Sequence, residues 1–141
     1  MSGAELRVVV RQLERARFEA KNEAGATLRM EGPKELGGVG DALRPMETLL
    51  AALAGCSAVD VVMILEQQRE PLAGMEIEVR GRRADATPAV FTDIHLVFRI
   101  RGPVAENKAR RAVQLSAEKY CSVSKMLEPG VRITHEVVLE P

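Results

Sequence analysis

From Leu49 to Leu65 the chain is apolar nearly all the way round a helix, through Leu49, Leu50, Leu53, Val59, Val61, Val62 and Ile64. A helix without a continuous polar stripe is expected to be buried on most of its sides. Pro45 suits the first helical position, where its missing N–H costs nothing, and Glu47 in the first turn complements the helix dipole. The stretch from Glu66 to Glu70 is polar, and Pro71 and Gly74 end the helix. A chain of 141 residues has little left with which to cover a central helix of this length. A second copy of the chain is the simplest cover, so the segment predicts a homodimer.

The flanking segments carry a different period. Residues 6–12 alternate, with Leu6, Val8 and Val10 on one face and Arg7, Val9 and Arg11 on the other, which predicts a strand. Phe18 and Ala20 continue as a second strand. Asn22-Glu23-Ala24-Gly25 reads as a turn, and Thr27 to Met30 as a third strand. Gly32-Pro33 and Gly37-Gly38 mark a loop that runs to Arg44. Beyond the central helix, Met75, Ile77 and Val79 alternate with charged residues, as do Ile94, Leu96, Phe98 and Ile100 after the break at Asp85-Ala86-Thr87-Pro88. Pro103 is expected to open a second helix reaching Tyr120, with an apolar stripe of Ala109, Ala112, Val113, Ser116 and Tyr120. Pro129-Gly130 precedes a last strand, with Val131, Ile133, His135, Val137 and Leu139 on one face. Strands and helices segregate, so the fold class is α+β with mostly antiparallel sheet, in a single domain of residues 1–141.

Charge excludes several function classes. Twenty basic residues balance 20 acidic ones, which leaves no electrostatic footprint for nucleic acid or an anionic membrane. Aromatic residues make up only 3%, without Trp, so base stacking is not expected. No apolar run is read as long enough to span a bilayer, and Met1 to Leu6 lack the regions of a signal peptide. The expected location is cytoplasmic, where permanent structural disulfides are disfavoured.

Two cysteines remain as the reactive groups. Cys56 lies inside the apolar helix and Cys121 at the end of the second helix pattern. Free cysteine is often core filler, so filler and redox-active thiols are both open on composition. A thiol is mostly protonated at neutral pH and needs a nearby cation to become reactive. The helix dipole does little for Cys56, about three turns from the helix start. Arg15 and Arg17 flank the bend between the first two strands, and Arg29 lies on the third; these are the candidate cations. A carboxylate could anchor such an arginine by a bidentate pair. Glu47 is the available one, although about two and a half turns separate it from Cys56 on a helix, on roughly the opposite face.

Pro45 through Cys56, together with Tyr120-Cys121-Ser122-Val123-Ser124-Lys125, resembles the OsmC/Ohr family of thiol-dependent hydroperoxide reductases. The run from Pro45 to Met63 is most similar to the OsmC-like branch, and the order of elements fits along almost the whole chain. The resemblance implies an intertwined homodimer with antiparallel sheets wrapped around central helices. It also implies that Cys56 attacks the peroxide and that Cys121 resolves the sulfenic acid as a Cys56–Cys121 disulfide, which a small or protein dithiol then reduces. The family arginine falls on Arg17 or Arg15, with Arg17 slightly preferred. One departure stands out. The Ohr pattern has a glutamate directly after the proline, and here that slot holds Met46. Glu47, one place on, points about 100° away on a helix. Efficient turnover is therefore not implied by the motif alone.

Other residues carry plainer expectations. Met46, Leu49, Leu53, Met63 and Met126 are candidate lining for an apolar substrate pocket. His135 is expected in the core or an interface, and His95 on a solvated face. The spacings of Cys56, His95, Cys121 and His135 match no structural zinc pattern, so no metal and no cofactor are expected. Gly37-Gly38-Val39-Gly40 lacks the strand–helix setting of a dinucleotide motif and reads as a flexible loop, with a lid over the thiol as its possible use. Arg80, Arg82 and Arg83 read as a wet strand edge. Two functions emerge: a cysteine peroxidase for hydroperoxides, organic ones preferred, in oxidative-stress defence, or a non-enzymatic dimeric binding protein with an apolar ligand pocket.

Overall fold

The computed structural model describes residues 3–141. Met1 and Ser2, which begin the segment read as lacking a signal peptide, lie outside the described residues. The backbone separates into two compact units, the first ending at Leu49 and the second running from Leu50 to Pro141. Each holds one three-stranded sheet, so the α+β class follows directly.

In the first unit, β1 (Val8–Glu14), β2 (Arg17–Asn22) and β3 (Thr27–Glu31) form an antiparallel meander. Arg15 turns the chain between β1 and β2 with φ at 50°, and its carbonyl accepts a 2.7 Å hydrogen bond from the Gln12 side-chain amide. Asn22 makes the next turn by accepting from the Ala26 N–H at 2.9 Å, while Gly25 supplies φ of 92°. A short 3-10 turn at Lys34–Leu36 follows. The glycines expected to form a flexible loop are pinned instead: a Cβ on Gly38 would collide with the Gly32 carbonyl, and Gly37 and Gly40 hold positive φ.

The long helix α1 (Pro45–Gln67) starts at the proline, as expected. Glu47 Oε1 accepts from the Arg44 N–H at 2.8 Å, which is half of a capping box. Burial is confined to one stripe, Leu53, Ser57, Val61, Ile64 and Leu65. The expectation of burial on most sides is therefore corrected for a single chain: Val59 is 68% exposed and Met63 41%. By length and composition α1 is also long and apolar enough to cross a membrane, contrary to the sequence expectation. Its central polar residues Ser57 and Asp60 are hydrogen-bonded to Ser116 inside the second unit.

In the second unit, β4 (Gly74–Arg83) pairs antiparallel with β5 (Phe91–Arg101), and β5 pairs parallel with β6 (Arg132–Glu140). A parallel neighbour cannot be reached by a tight turn. The crossover consists of α2 (Glu106–Leu115), a π-turn (Ser116–Tyr120) and α3 (Ser122–Leu127). Ile94, Leu96, Phe98 and Ile100 of β5 form the core with Ala109, Ala112 and Val113 of α2. Each large side chain buried this way is worth about 1.5–3 kcal/mol.

Three details of the crossover depart from expectation. Helix α2 starts at Glu106 rather than Pro103, because Ala105 is its N-cap and the Ala105 N–H goes to Glu70 Oε1 at 2.7 Å. Tyr120 leaves the buried stripe and is 42% exposed, because the π-turn breaks the 3.6-residue period. Cys121 ends the second helix as expected, as the C-cap of the π-turn, but it is at the same time the N-cap of α3.

Candidate active site

The second unit brings the two cysteines together. Both are free, with Cys56 half-buried on α1 and Cys121 buried between the π-turn and α3. The two thiols are near enough for Cys56 to act on the Cys121 thiol. The Cys121 sulfur also accepts from the Ser124 N–H at 3.4 Å, so the thiol itself caps α3. Burial pushes the Cys121 thiol up to about 11, against the opposing pull of the Ser124 N–H; contact with Cys56 and the charge of Asp60 push the same way as burial. At neutral pH Cys121 is a thiol, not a thiolate.

A polar network adjoins this pair. Ser57, next to Cys56, lies 2.9 Å from Ser116 at Oγ, and Ser116 donates to Asp60 Oδ2 at 2.8 Å. The Cys121 N–H donates to the Ser116 carbonyl at 2.8 Å, closing the π-turn. None of these three residues was singled out as functional from sequence. The available signal was two polar residues, Ser57 and Asp60, placed within the apolar run on either side of one helical turn.

A small cavity of about 20 Å³ is lined by Leu53, Ser57, Phe98, Cys121, Ser124 and His135, among others. Of the expected pocket residues, Leu53 is there. Met63 is on the exposed face of α1, Met126 is 79% exposed, and Met46 and Leu49 belong to the first unit. His135 is on β6 at the cavity edge. Burial lowers its pKa, Glu118 opposes this, and His95 adds to it. His95 bonds Thr134 Oγ1 at 2.6 Å. Among the described residues no group of three or more metal-binding side chains occurs. A larger groove of about 810 Å³ lies along the sheet, lined by Arg80, Arg82, Asp93, His95, Arg132 and Thr134, and contains no cysteine. At the strand edge Arg80 pairs with Glu78 at 3.4 Å, and Arg83 donates to the Ala89 carbonyl at 2.8 Å.

The first unit separates the two candidate arginines. Arg15 is exposed and donates to the Glu35 carbonyl at 3.0 Å. Arg17 is half-buried and directly opposite Glu31 on β3. Glu31 is 3% exposed, and no sequence pattern marked it. Its carboxylate accepts from the Gly40 N–H at 2.6 Å and more weakly from Asp41 at 3.4 Å. Burial raises its pKa, but the N–H groups of Gly40, Val39 and Asp41, together with the charge of Arg17, outweigh burial and hold it below the usual carboxylate range. Glu47 is exposed and committed to the Arg44 N–H. Arg29 sits 3.8 Å from Glu19 on an exposed edge. A groove of about 930 Å³ in this unit is lined by Glu31, Lys34, Gly38, Gly40, Arg44 and Glu47.

Comparison with known proteins agrees with these features. A family model described as OsmC-like protein matches residues 38–136. The chain is 41% identical over 128 residues to Protein YhfA of Escherichia coli (strain K12), covering 89% of this chain and 92% of that protein. It is also similar to a hypothetical protein from Aquifex aeolicus VF5, at 30% identity and a TM-score of 0.83, covering 99% of this chain and 100% of the other. The organic hydroperoxide resistance protein OhrB of Bacillus subtilis shares the fold at 19% identity and a TM-score of 0.67, covering 96% of this chain and 98% of that one.

Proposed function

The chain belongs to the OsmC-like protein family, and from that premise we propose that it is a cysteine-based peroxidase acting on hydroperoxides, organic ones preferred, in oxidative-stress defence. The observation that carries this reading is the meeting of Cys56 and Cys121 across 65 residues of sequence, both free and near enough for Cys56 to act on the Cys121 thiol. In the proposed cycle the Cys56 thiolate attacks the hydroperoxide, releasing an alcohol and leaving a sulfenic acid on Cys56. The Cys121 thiol displaces the sulfenic hydroxyl, forming the Cys56–Cys121 disulfide and water. A small or protein dithiol then reduces the disulfide to two thiols and is itself oxidised.

Cys56 is assigned the attack because it is the more accessible thiol, and Cys121 the resolution because it is buried and held as a thiol. Arg17 is the preferred activating cation. Arg15 is already bonded to the Glu35 carbonyl, whereas Arg17 faces a buried carboxylate. Glu31, rather than Glu47, is then the carboxylate that steadies the arginine in the absence of a glutamate at position 46. Both units are proposed to act as one domain of residues 1–141 in the cytoplasm, without cofactor or metal.

The exposed Val8, Val10, Val59 and Met63 support a homodimer in which a second copy covers these apolar surfaces. The alternative, a non-enzymatic dimeric binding or stress-response protein with an apolar ligand pocket, leaves the meeting of two free cysteines without a use. Consumption of tert-butyl hydroperoxide and of hydrogen peroxide with dithiothreitol supplied tests the proposal. Faster loss of the organic peroxide is expected; no consumption of either would overturn it.

A further inference from the structure

Ser57, Ser116 and Asp60 have no part in the cycle above, yet they place polar atoms between the two cysteine-bearing segments. Ser116 is fully buried and Ser57 is 5% exposed. Apolar residues would fill such sites at less cost in desolvation. The direction of the network follows from its chemistry. A carboxylate only accepts, so the single Ser116 hydrogen goes to Asp60 Oδ2 at 2.8 Å. The 2.9 Å contact must then have Ser57 donating to Ser116.

The positions matter as much as the bonds. Ser57 follows Cys56 directly, and Asp60 is one helical turn beyond it on the same side of α1. The Ser116 side chain thus binds both neighbours of Cys56, while its carbonyl binds the Cys121 N–H at 2.8 Å. One residue therefore connects the two thiol-bearing segments.

We propose that Asp60 and Ser116 are positioning residues: their hydrogen bond clamps the π-turn to α1 so that Cys121 faces Cys56. The proposal rests on the disulfide cycle above for its purpose, but not for its geometry. The titratable groups around the Cys121 sulfur are Cys56 and Asp60 from α1, and His135 from β6 at the shared cavity.

Two variants at Asp60, which is only half-buried, test the clamp. Asp60→Asn keeps an oxygen acceptor for Ser116, and Asp60→Ala removes it. The measurement on the full chain needs no peroxide: the fraction of Cys56–Cys121 disulfide in glutathione buffers. Asp60→Asn should leave the disulfide equilibrium within about twofold of wild type, and Asp60→Ala should weaken it by about tenfold. An unchanged disulfide in Asp60→Ala, or an equal loss in Asp60→Asn, would overturn the clamp. If these results hold while the wild-type protein consumes no hydroperoxide, the clamp stands and the peroxidase assignment falls.

Discussion

Arg17 and Glu31 face each other across the β2–β3 ladder, and Glu31 is a buried carboxylate whose other contacts are backbone N–H groups of the following loop. One side chain therefore serves two neighbours, the loop and the arginine.

Glu31→Gln should lower the second-order rate with organic hydroperoxide by about tenfold, because it removes the charge that stands opposite Arg17 and with it part of the stabilisation of the transition state. Glu47→Gln should leave the rate near wild type, since glutamine can still accept from the Arg44 N–H in the capping box. Stopped-flow oxidation of Cys56 measures both. A larger loss in Glu47→Gln than in Glu31→Gln would reverse the assignment of the anchoring carboxylate.

Glu31 also predicts an acid dependence of stability. Its folded pKa lies below the ordinary value, so its contribution is complete above the unfolded pKa and is lost as pH falls through the folded one. Thermal melts of wild type and Glu31→Gln should differ most near neutrality and converge in acid. Parallel curves at all pH values would refute the linkage.

Cys121 gives the mirror case at high pH. Its folded pKa is raised from 9.0 to about 11, so its contribution is complete below the unfolded value and fades as pH rises through the folded one. Cys121→Ala should flatten the alkaline edge of the stability profile between these values. In turnover, Cys121→Ser should complete one peroxide reduction and then accumulate sulfinic Cys56, while Cys56→Ser should consume none. Intact-mass spectrometry distinguishes them, since in Cys121→Ser one equivalent of peroxide gives sulfenic and a second gives sulfinic Cys56; wild-type turnover in Cys56→Ser would end the role assignment.

Leu53 is 1% exposed and lines the cavity beside Cys121. Leu53→Ala should cost about 2–5 kcal/mol of stability, measurable by urea unfolding, because it enlarges a void that the surrounding core cannot close. A loss below about 0.5 kcal/mol would mean that α1 is not packed there as described.

The exposed face of α1 carries the assembly prediction. Val59→Glu should turn a dimer into a monomer in sedimentation, since a charge at the centre of an apolar contact must be desolvated without a partner. A wild-type mass of 15.4 kDa at micromolar concentration would remove the dimer altogether.

Much of this fold was legible in residue order. Pro45 marked the start of α1, and alternation located β5 to within two residues and the start of β4 to within one, while β4 runs on past the alternation to Arg83. Three features were not. Alternation in β6 reads the same whether its neighbour is parallel or antiparallel, so the β5–β6 pairing was hidden. The apolar spacing of α2 runs smoothly through Ser116 to Tyr120, and only a backbone bond from Cys121 to Ser116 reveals the π-turn. Glu31 looks like any strand-end acid, because its burial depends on the loop that folds over it. The two cysteines were readable as candidates, but the serines and aspartate between their segments become a group only once α1 and the π-turn are side by side.

The parallel register of β6 has a practical consequence for anyone altering this chain. After Arg101 the backbone must travel back along the sheet to begin again at Arg132, and Cys121 rides on that return. A return of this kind has a minimum length and cannot be trimmed to a turn. The connection between β4 and β5 is under no such constraint, and Asp85 to Pro88 are exposed there. Affinity tags, reporter insertions or new chain ends made by circular permutation belong at Asp85–Pro88. The same insertion anywhere from Gly102 to Val131 would act as a change of gauge in the span that delivers the second sulfur.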